Sequence, residues 1–312
     1  MRPTPILPFS DATIVQAASL IAQGQPVAVP TETVYGLAGD ATNGAAVAAI
    51  YAAKGRPSFN PLIVHVPDEA AAERLAVFED TARALATAFW PGPLTLVLPH
   101  HPASPVASLA TAGLPTIAIR VPAHPAMQAL LTACGVPLAA PSANASGTIS
   151  PTRAAHVAAS LGGRIPLIID GGACAVGLES TIVAVDEKGL RLLRPGVVTA
   201  EMLMAATGVP ITTAAGDGIE APGQMLSHYA PAKPLRLNAL VAETDEYLIG
   251  FGVVTGQSSL SASGDLVEAA AALFDQLHRA DAAMPPRIAV APIPALGLGL
   301  AIIDRLTRAA HE

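Results

Sequence analysis

The sequence predicts a mixed α/β protein: one twisted sheet of parallel and antiparallel strands with helices around it, then a smaller α/β unit with Rossmann-like layering. Three observations carry this. Short apolar, often β-branched runs alternate with alanine-rich helical patterns through about residue 210. Two of those runs, 180–186 and 190–194, are close enough to form a hairpin turned at Glu187-Lys188-Gly189, which argues against a purely parallel sheet. After small residues, glycines and prolines at 212–232, strand and helix patterns alternate again over a shorter length. At roughly 100–200 residues per domain, 312 residues then divide into a domain at 1–211, a linker at 212–232 and a small α/β domain at 233–312.

Taken in order, Ser10 or Asp11 caps a helix that runs to about Gln23 and stops at Gly24, and 26–29 reads as a buried strand. Residues 45–53 form an alanine-rich helix that delivers Lys54, with Gly55 placed to end it. Strands follow at 62–66, 94–98, 116–121, 137–140 and 166–170, with helices at about 80–90, 125–134, 152–161 and 200–206. Beyond the linker, strands at 233–237, 246–251 and 287–292 alternate with helices at about 265–280 and 298–310. Gly252 and Gly256 do not make a dinucleotide fingerprint, so no NAD site is expected there.

Composition excludes several classes. The chain has no apolar run of the roughly 18 residues that a membrane span needs and lacks the basic-then-apolar start of a signal peptide, so a cytoplasmic protein without membrane attachment is expected. Cys134 and Cys174 are too few for a disulfide framework or a thiolate zinc site. A formal net charge of −7 opposes tight binding to nucleic acid, which draws its affinity from cationic contacts to phosphates.

Four clusters offer chemistry. Thr31, Thr33 and Tyr35 bring hydroxyls to a strand end beside Gly36; they suit the polar groups of an amino acid, or simply a turn with local hydrogen bonds. Lys54 and Arg56, with Asn60, could neutralise a triphosphate, the first as a point charge and the second as a two-pronged fork, or belong to a solvated surface loop. His65 lies in an apolar strand. Residues 141–152, PSANASGTISPT, combine small residues with a following helix start, which suits an anion cradle or an ordinary loop. Glu179-Ser180-Thr181 and Arg194-Pro195-Gly196 flank the hairpin. No Ser-His-Asp or Cys-His set is evident.

The order and spacing of PTETVYGL (30–37), KGRPSFNPLIVH (54–65), PSANASGTISPT (141–152), STIV (180–183) and RPG (194–196) resemble the YrdC-like threonylcarbamoyl-AMP synthases over about residues 10–210. SHYAP at 227–231 and the unit after it resemble the longer, two-domain form. The resemblance implies an enzyme that joins L-threonine, bicarbonate or CO2, and ATP into L-threonylcarbamoyl-AMP and pyrophosphate. The product would pass to a tRNA threonylcarbamoyl transferase complex, without tight tRNA binding by this chain. It also implies Lys54 and Arg56 as catalytic residues. Threonine contacts would be Thr33, His65, Arg120, the Ala140 backbone and Thr181. ATP contacts would be Lys54, Arg56, Asn60, Thr116, Ser142, Ser150, Arg194 and Tyr229, with Mg²⁺ held mainly by phosphates. In that form the linker acts as a lid over the groove.

Overall fold

The structure, a computed structural model, describes residues 3–186, 189–213, 220–222 and 228–311. The predicted turn at Glu187-Lys188 lies outside them, as do residues 214–219 and 223–227 of the expected linker.

The larger unit begins with β1 (Ile6–Pro8), α1 (Asp11–Ala22), β2 (Val27–Val29), β3 (Gly36–Asp40), α2 (Gly44–Lys54), β4 (Ile63–His65), α3 (Glu69–Glu73) and α4 (Asp80–Phe89). It continues through β5 (Leu94–Pro99), β6 (Thr116–Arg120), α5 (Pro125–Cys134), β7 (Leu138–Ala139), α6 (Ala154–Leu161), β8 (Ile168–Asp170), β9 (Thr181–Asp186), β10 (Gly189–Arg194), α7 (Ala200–Thr207) and β11 (Ile211–Thr212). Its eleven strands form one sheet in the order β1-β8-β2-β3-β7-β4-β6-β5-β9-β10-β11. Parallel and antiparallel pairs are mixed as expected: β4 runs parallel to β6, β5 antiparallel to β6, and β9 and β10 form the predicted antiparallel pair.

Local chemistry sets the helix ends. Ser10 caps α1 by accepting from the Thr13 amide, Asn43 caps α2 by accepting from the Ala45 and Ala46 amides, and Gly55 closes α2 at φ 61°. A left-handed residue there turns the chain sharply after Lys54, where a side chain on Cβ would be unfavourable. Four short strands and α3 escape sequence reading. β3 has the sequence GLAGD, which has little strand propensity, and it exists because its backbone pairs with β2 on one side and β7 on the other. β1, β11 and β14 (Ser258–Ser259) are two or three residues long and lie at sheet edges.

The smaller unit contains β12 (Leu235–Arg236), β13 (Glu246–Gly250), β14, α8 (Leu266–Ala282), β15 (Arg287–Val290) and α9 (Leu298–Ala309). Its four strands, in the order β12-β15-β13-β14, are all parallel, in keeping with Rossmann-like layering. Its core does not close on itself. Leu273, Phe274 and Leu277 of α8 and Ile302 and Leu306 of α9 pack in one apolar cluster with Val34, Ile149 and Leu178 of the larger unit and with Tyr229. Gly177 makes this approach possible: a Cβ there would lie 2.5 Å from Ala271 Cα and 2.7 Å from the Ala270 carbonyl oxygen of α8.

Candidate active site

A cavity opens where β2, β4 and β6 end and β3 and β9 begin. His65 and Arg120 are register partners at the ends of the parallel strands β4 and β6. Thr31 and Thr33 follow β2, and Gly36 opens β3. Carboxyl ends of strands are where open α/β sheets leave room for ligands. Thr33, His65, Arg120 and Ala140 line this cavity with Arg56, Ser142, Arg194 and Tyr229, and so do Glu179, Ser180 and His228.

Arg120 organises one group of side chains. Its Nη1 donates to Thr33 Oγ1 at 2.9 Å, its Nη2 to Glu32 Oε1 at 2.5 Å and its Nε to the Gly92 carbonyl at 3.1 Å. A guanidinium has five N–H donors, so two remain for a ligand. Thr31 and Thr33 hydroxyls lie 2.8 Å apart, and Thr31 Oγ1 donates to the Val34 carbonyl at 2.7 Å. Burial alone would raise the Glu32 carboxyl; the charge and hydrogen bond of Arg120, with backbone donors, hold it below the usual carboxylate range. Burial, then the charge of Arg120, push His65 down to about 3, so its imidazole is neutral at physiological pH. Its Nδ1 lies 3.2 Å from the Ile63 carbonyl oxygen.

The second group is cationic. Arg56 is held by Nε to the Asn60 carbonyl at 3.3 Å and by Nη2 to the Pro61 carbonyl at 2.9 Å. Arg194 donates through Nε to the Ser180 carbonyl at 3.0 Å and through Nη2 to Ser180 Oγ at 3.1 Å. Burial brings Arg56 down to about 10, with a smaller push from the charge of Arg194 and against the opposing influence of Tyr51 and Tyr229, a sign of a cation placed where an anion would relieve it. Tyr229 closes this side. It sits at φ 66°, buried, with the next residue pinned by Ala230 N–H to the Gly147 carbonyl at 2.8 Å.

Not every predicted residue reaches the cavity wall. Lys54 is buried behind it, its three N–H donors directed to the Ser142 carbonyl at 2.5 Å, the Asn144 carbonyl at 2.6 Å and Asn144 Oδ1 at 3.4 Å. Asn60 is buried and supports Arg56 and the Tyr51 hydroxyl through its carbonyl. Ser150 is buried with its hydroxyl donating to Glu179 Oε1 at 2.5 Å. Thr181 donates to the Val198 carbonyl and accepts from the Val198 amide, with Gly196 pressed against it. Ser180 lines the cavity, and its strand neighbour Thr181 therefore points the other way. Thr116 opens β6 at the end opposite Arg120, roughly 13 Å along the strand. The sequence reading assigned no role to Glu32, Glu179 or His228. Glu32 sits inside PTETVYGL, between Thr31 and Thr33, where a carboxylate beside a buried strand end is itself a signal for a cationic partner.

Residues 19–196 match the family model described as "Telomere recombination", and residues 198–311 match "Threonylcarbamoyl-AMP synthase, C-terminal domain". The chain is 42% identical to the threonylcarbamoyl-AMP synthase of Bacillus subtilis, over 97% of this chain and 94% of the relative. The chain belongs to the threonylcarbamoyl-AMP synthase family. Another family member, from Pyrococcus abyssi, is 40% identical over 94% of this chain and 92% of the relative. The crystal structure of P. abyssi Sua5 complexed with L-threonine superposes with a TM-score of 0.91 at 37% identity, covering 98% of both chains. The family's two-part architecture therefore extends over essentially the whole of this chain.

Proposed function

We propose that this chain is a threonylcarbamoyl-AMP synthase, making L-threonylcarbamoyl-AMP and pyrophosphate from L-threonine, bicarbonate or CO2, and MgATP. The observation that carries the reading is the joining, in one cavity, of an arginine-hydroxyl pocket around Arg120 with the cations Arg56 and Arg194. Such a site offers separate places for an amino acid and a polyphosphate. Near full-length likeness to named synthases supports it.

In this reading the two remaining N–H groups of Arg120 clamp the threonine carboxylate, with Thr33 and neutral His65 beside it. The amine takes up CO2 with loss of a proton to give a carbamate. A carbamate oxygen attacks the α-phosphorus in line, the bond to the β-phosphate oxygen breaks, and pyrophosphate leaves. Arg56 and Arg194 stabilise charge on the phosphates. Lys54 serves by holding the 142–144 loop, and Ser142 and Tyr229 shape the nucleotide side. Among the described residues no group of three or more His, Cys, Asp or Glu is placed to bind a metal; in this reading Mg²⁺ enters on the phosphates of ATP. When bound, that ion would supply charge neutralisation to the phosphates.

The product is a reactive mixed anhydride, so its consumer is a group transfer to a nucleophile with AMP as the leaving group; the reading assigns that step to a tRNA threonylcarbamoyl transferase. The reading also keeps the enzyme in the cytoplasm. No helix among the described residues is long and apolar enough to cross a membrane. The deciding experiment is pyrophosphate release from MgATP with threonine and bicarbonate each omitted in turn, together with mass detection of the adenylate. Turnover that ignores threonine would overturn the assignment.

A further inference from the structure

Arg305 belongs to α9 in the smaller unit, yet its side chain is fully buried against the cavity of the larger one. Its Nε donates to Glu179 Oε2 at 2.9 Å and its Nη1 to Asp304 Oδ2 at 2.7 Å. Its guanidinium carbon lies 5.4 Å from the centre of the Tyr229 ring. Glu179 lines the cavity beside Ser180, Arg194 and Tyr229, and its other oxygen accepts the Ser150 hydroxyl at 2.5 Å. One carboxylate thus joins a helix of the smaller unit to the wall of the larger unit's site.

A carboxylate in the wall of a polyphosphate site is a liability unless it is neutralised. It repels phosphate, and it competes for the cations that should meet phosphate. Burial alone would raise the Glu179 carboxyl; the charge of Arg305, then that of Arg194, and the hydrogen bonds from Ser150 and Arg305 bring it below the usual carboxylate range. Glu179 is therefore an anion that requires a partner. Without Arg305, the remaining cation acting on it is Arg194, whose guanidinium is held by Ser180 at the cavity wall.

We propose that Arg305 is a positioning residue for the nucleotide: by pairing with Glu179 it leaves Arg194 available to phosphate and backs the ring of Tyr229. The smaller unit thereby sets the charge of a site built by the larger one. This rests on the reading that the cavity takes ATP.

The test compares Arg305→Met, Arg305→Lys and the double variant Arg305→Met/Glu179→Gln with the wild type. KM is measured separately for ATP and threonine, and MgATP binding by calorimetry, at a temperature where circular dichroism shows each protein folded. Arg305→Met is expected to raise KM for ATP on the order of tenfold while KM for threonine stays within about twofold. Arg305→Lys recovers part of the loss. Adding Glu179→Gln to Arg305→Met recovers most of it, because the unpaired charge is gone while an acceptor for Ser150 remains. Unchanged KM for ATP in Arg305→Met, equal rises for both substrates, or no recovery in the double variant would each overturn the proposal. If Arg305→Met does not fold, Arg305→Lys and the double variant carry the comparison, since neither leaves Glu179 as an unpaired anion. A folded wild type that neither binds nor turns over ATP would overturn the parent reading and this one together, whereas an active wild type confines a failure to Arg305.

Discussion

The Lys54 ammonium donates to the Ser142 carbonyl at 2.5 Å, a bond between residues 88 positions apart that ties the end of α2 to the loop after β7. Burial, then the nearby Arg56 charge, push this lysine well below its usual range, while three oxygen acceptors favour its protonated form. Its place in the fold is that of a peg for the 142–144 backbone, with Ser142 in turn facing the cavity.

Lys54→Met should therefore damage architecture as well as turnover. It leaves the Ser142 and Asn144 carbonyls buried without their donor, at about 1–3 kcal/mol for each unsatisfied group. A lowered denaturant midpoint together with lost turnover is the expected pair of results. Lys54→Arg should not restore either, because a planar fork cannot converge on three acceptors as an ammonium does. A stable, fully active Lys54→Met protein would remove the peg.

Arg120→Gln is expected to act on threonine alone. The substitution removes the charge that pairs with Glu32 and the donors left for a carboxylate. KM for threonine should rise on the order of 100-fold, the scale of a lost charge-assisted pair, with KM for ATP changed far less. Equal effects on the two substrates would place Arg120 elsewhere in the mechanism.

Gly177→Ala tests the contact between the two units. The residue sits at φ 74°, and the added Cβ would meet the Ala271 backbone of α8 at 2.5 Å. Strain and overpacking together should cost about 2 kcal/mol or more. Thermal unfolding should occur at lower temperature and split into two transitions as the units lose their shared core. A single unshifted transition would contradict this.

Acid should loosen the same contact. His156 of α6 stacks on His278 of α8 with ring centres 3.9 Å apart, beside the Arg153–Asp275 pair at 2.6 Å, and His278 Nε2 lies 3.1 Å from the Ser150 carbonyl oxygen. Burial, then the charge of His278, lower His156 to about 4 from 6.5. A histidine lowered in the folded state is neutral there while the unfolded chain already binds a proton. Its contribution to stability is complete above about pH 6.5 and is lost as pH falls toward about 4. Melting temperature measured from pH 7 to pH 4.5 should fall less steeply in His156→Gln than in the wild type; parallel profiles would exclude the stack as a cause.

The strands with β-branched runs, such as Leu94–Pro99 and Thr116–Arg120, were legible because their own side chains favour a pleated, buried surface. The helix caps at Ser10 and Gly55 were legible for the same reason: the chemistry is local. The family resemblance implied Thr33, Arg56, His65, Arg120, Ser142, Arg194 and Tyr229 as site residues, and all of them line one cavity. What the tertiary structure decided is which way groups face and whom they meet. Gly36–Asp40 is a strand only because β2 and β7 supply its partners. Ser180 and not Thr181 lines the cavity, since alternation along a strand reveals two faces but not which one borders a ligand. Lys54 turned inward to three oxygens instead of outward to the cavity. Glu179 and Arg305, 126 residues apart, carry no local signal of one another. A buried ion pair of that separation is specified by packing, because only the assembled core removes both charges from water and leaves each with the other as its remedy.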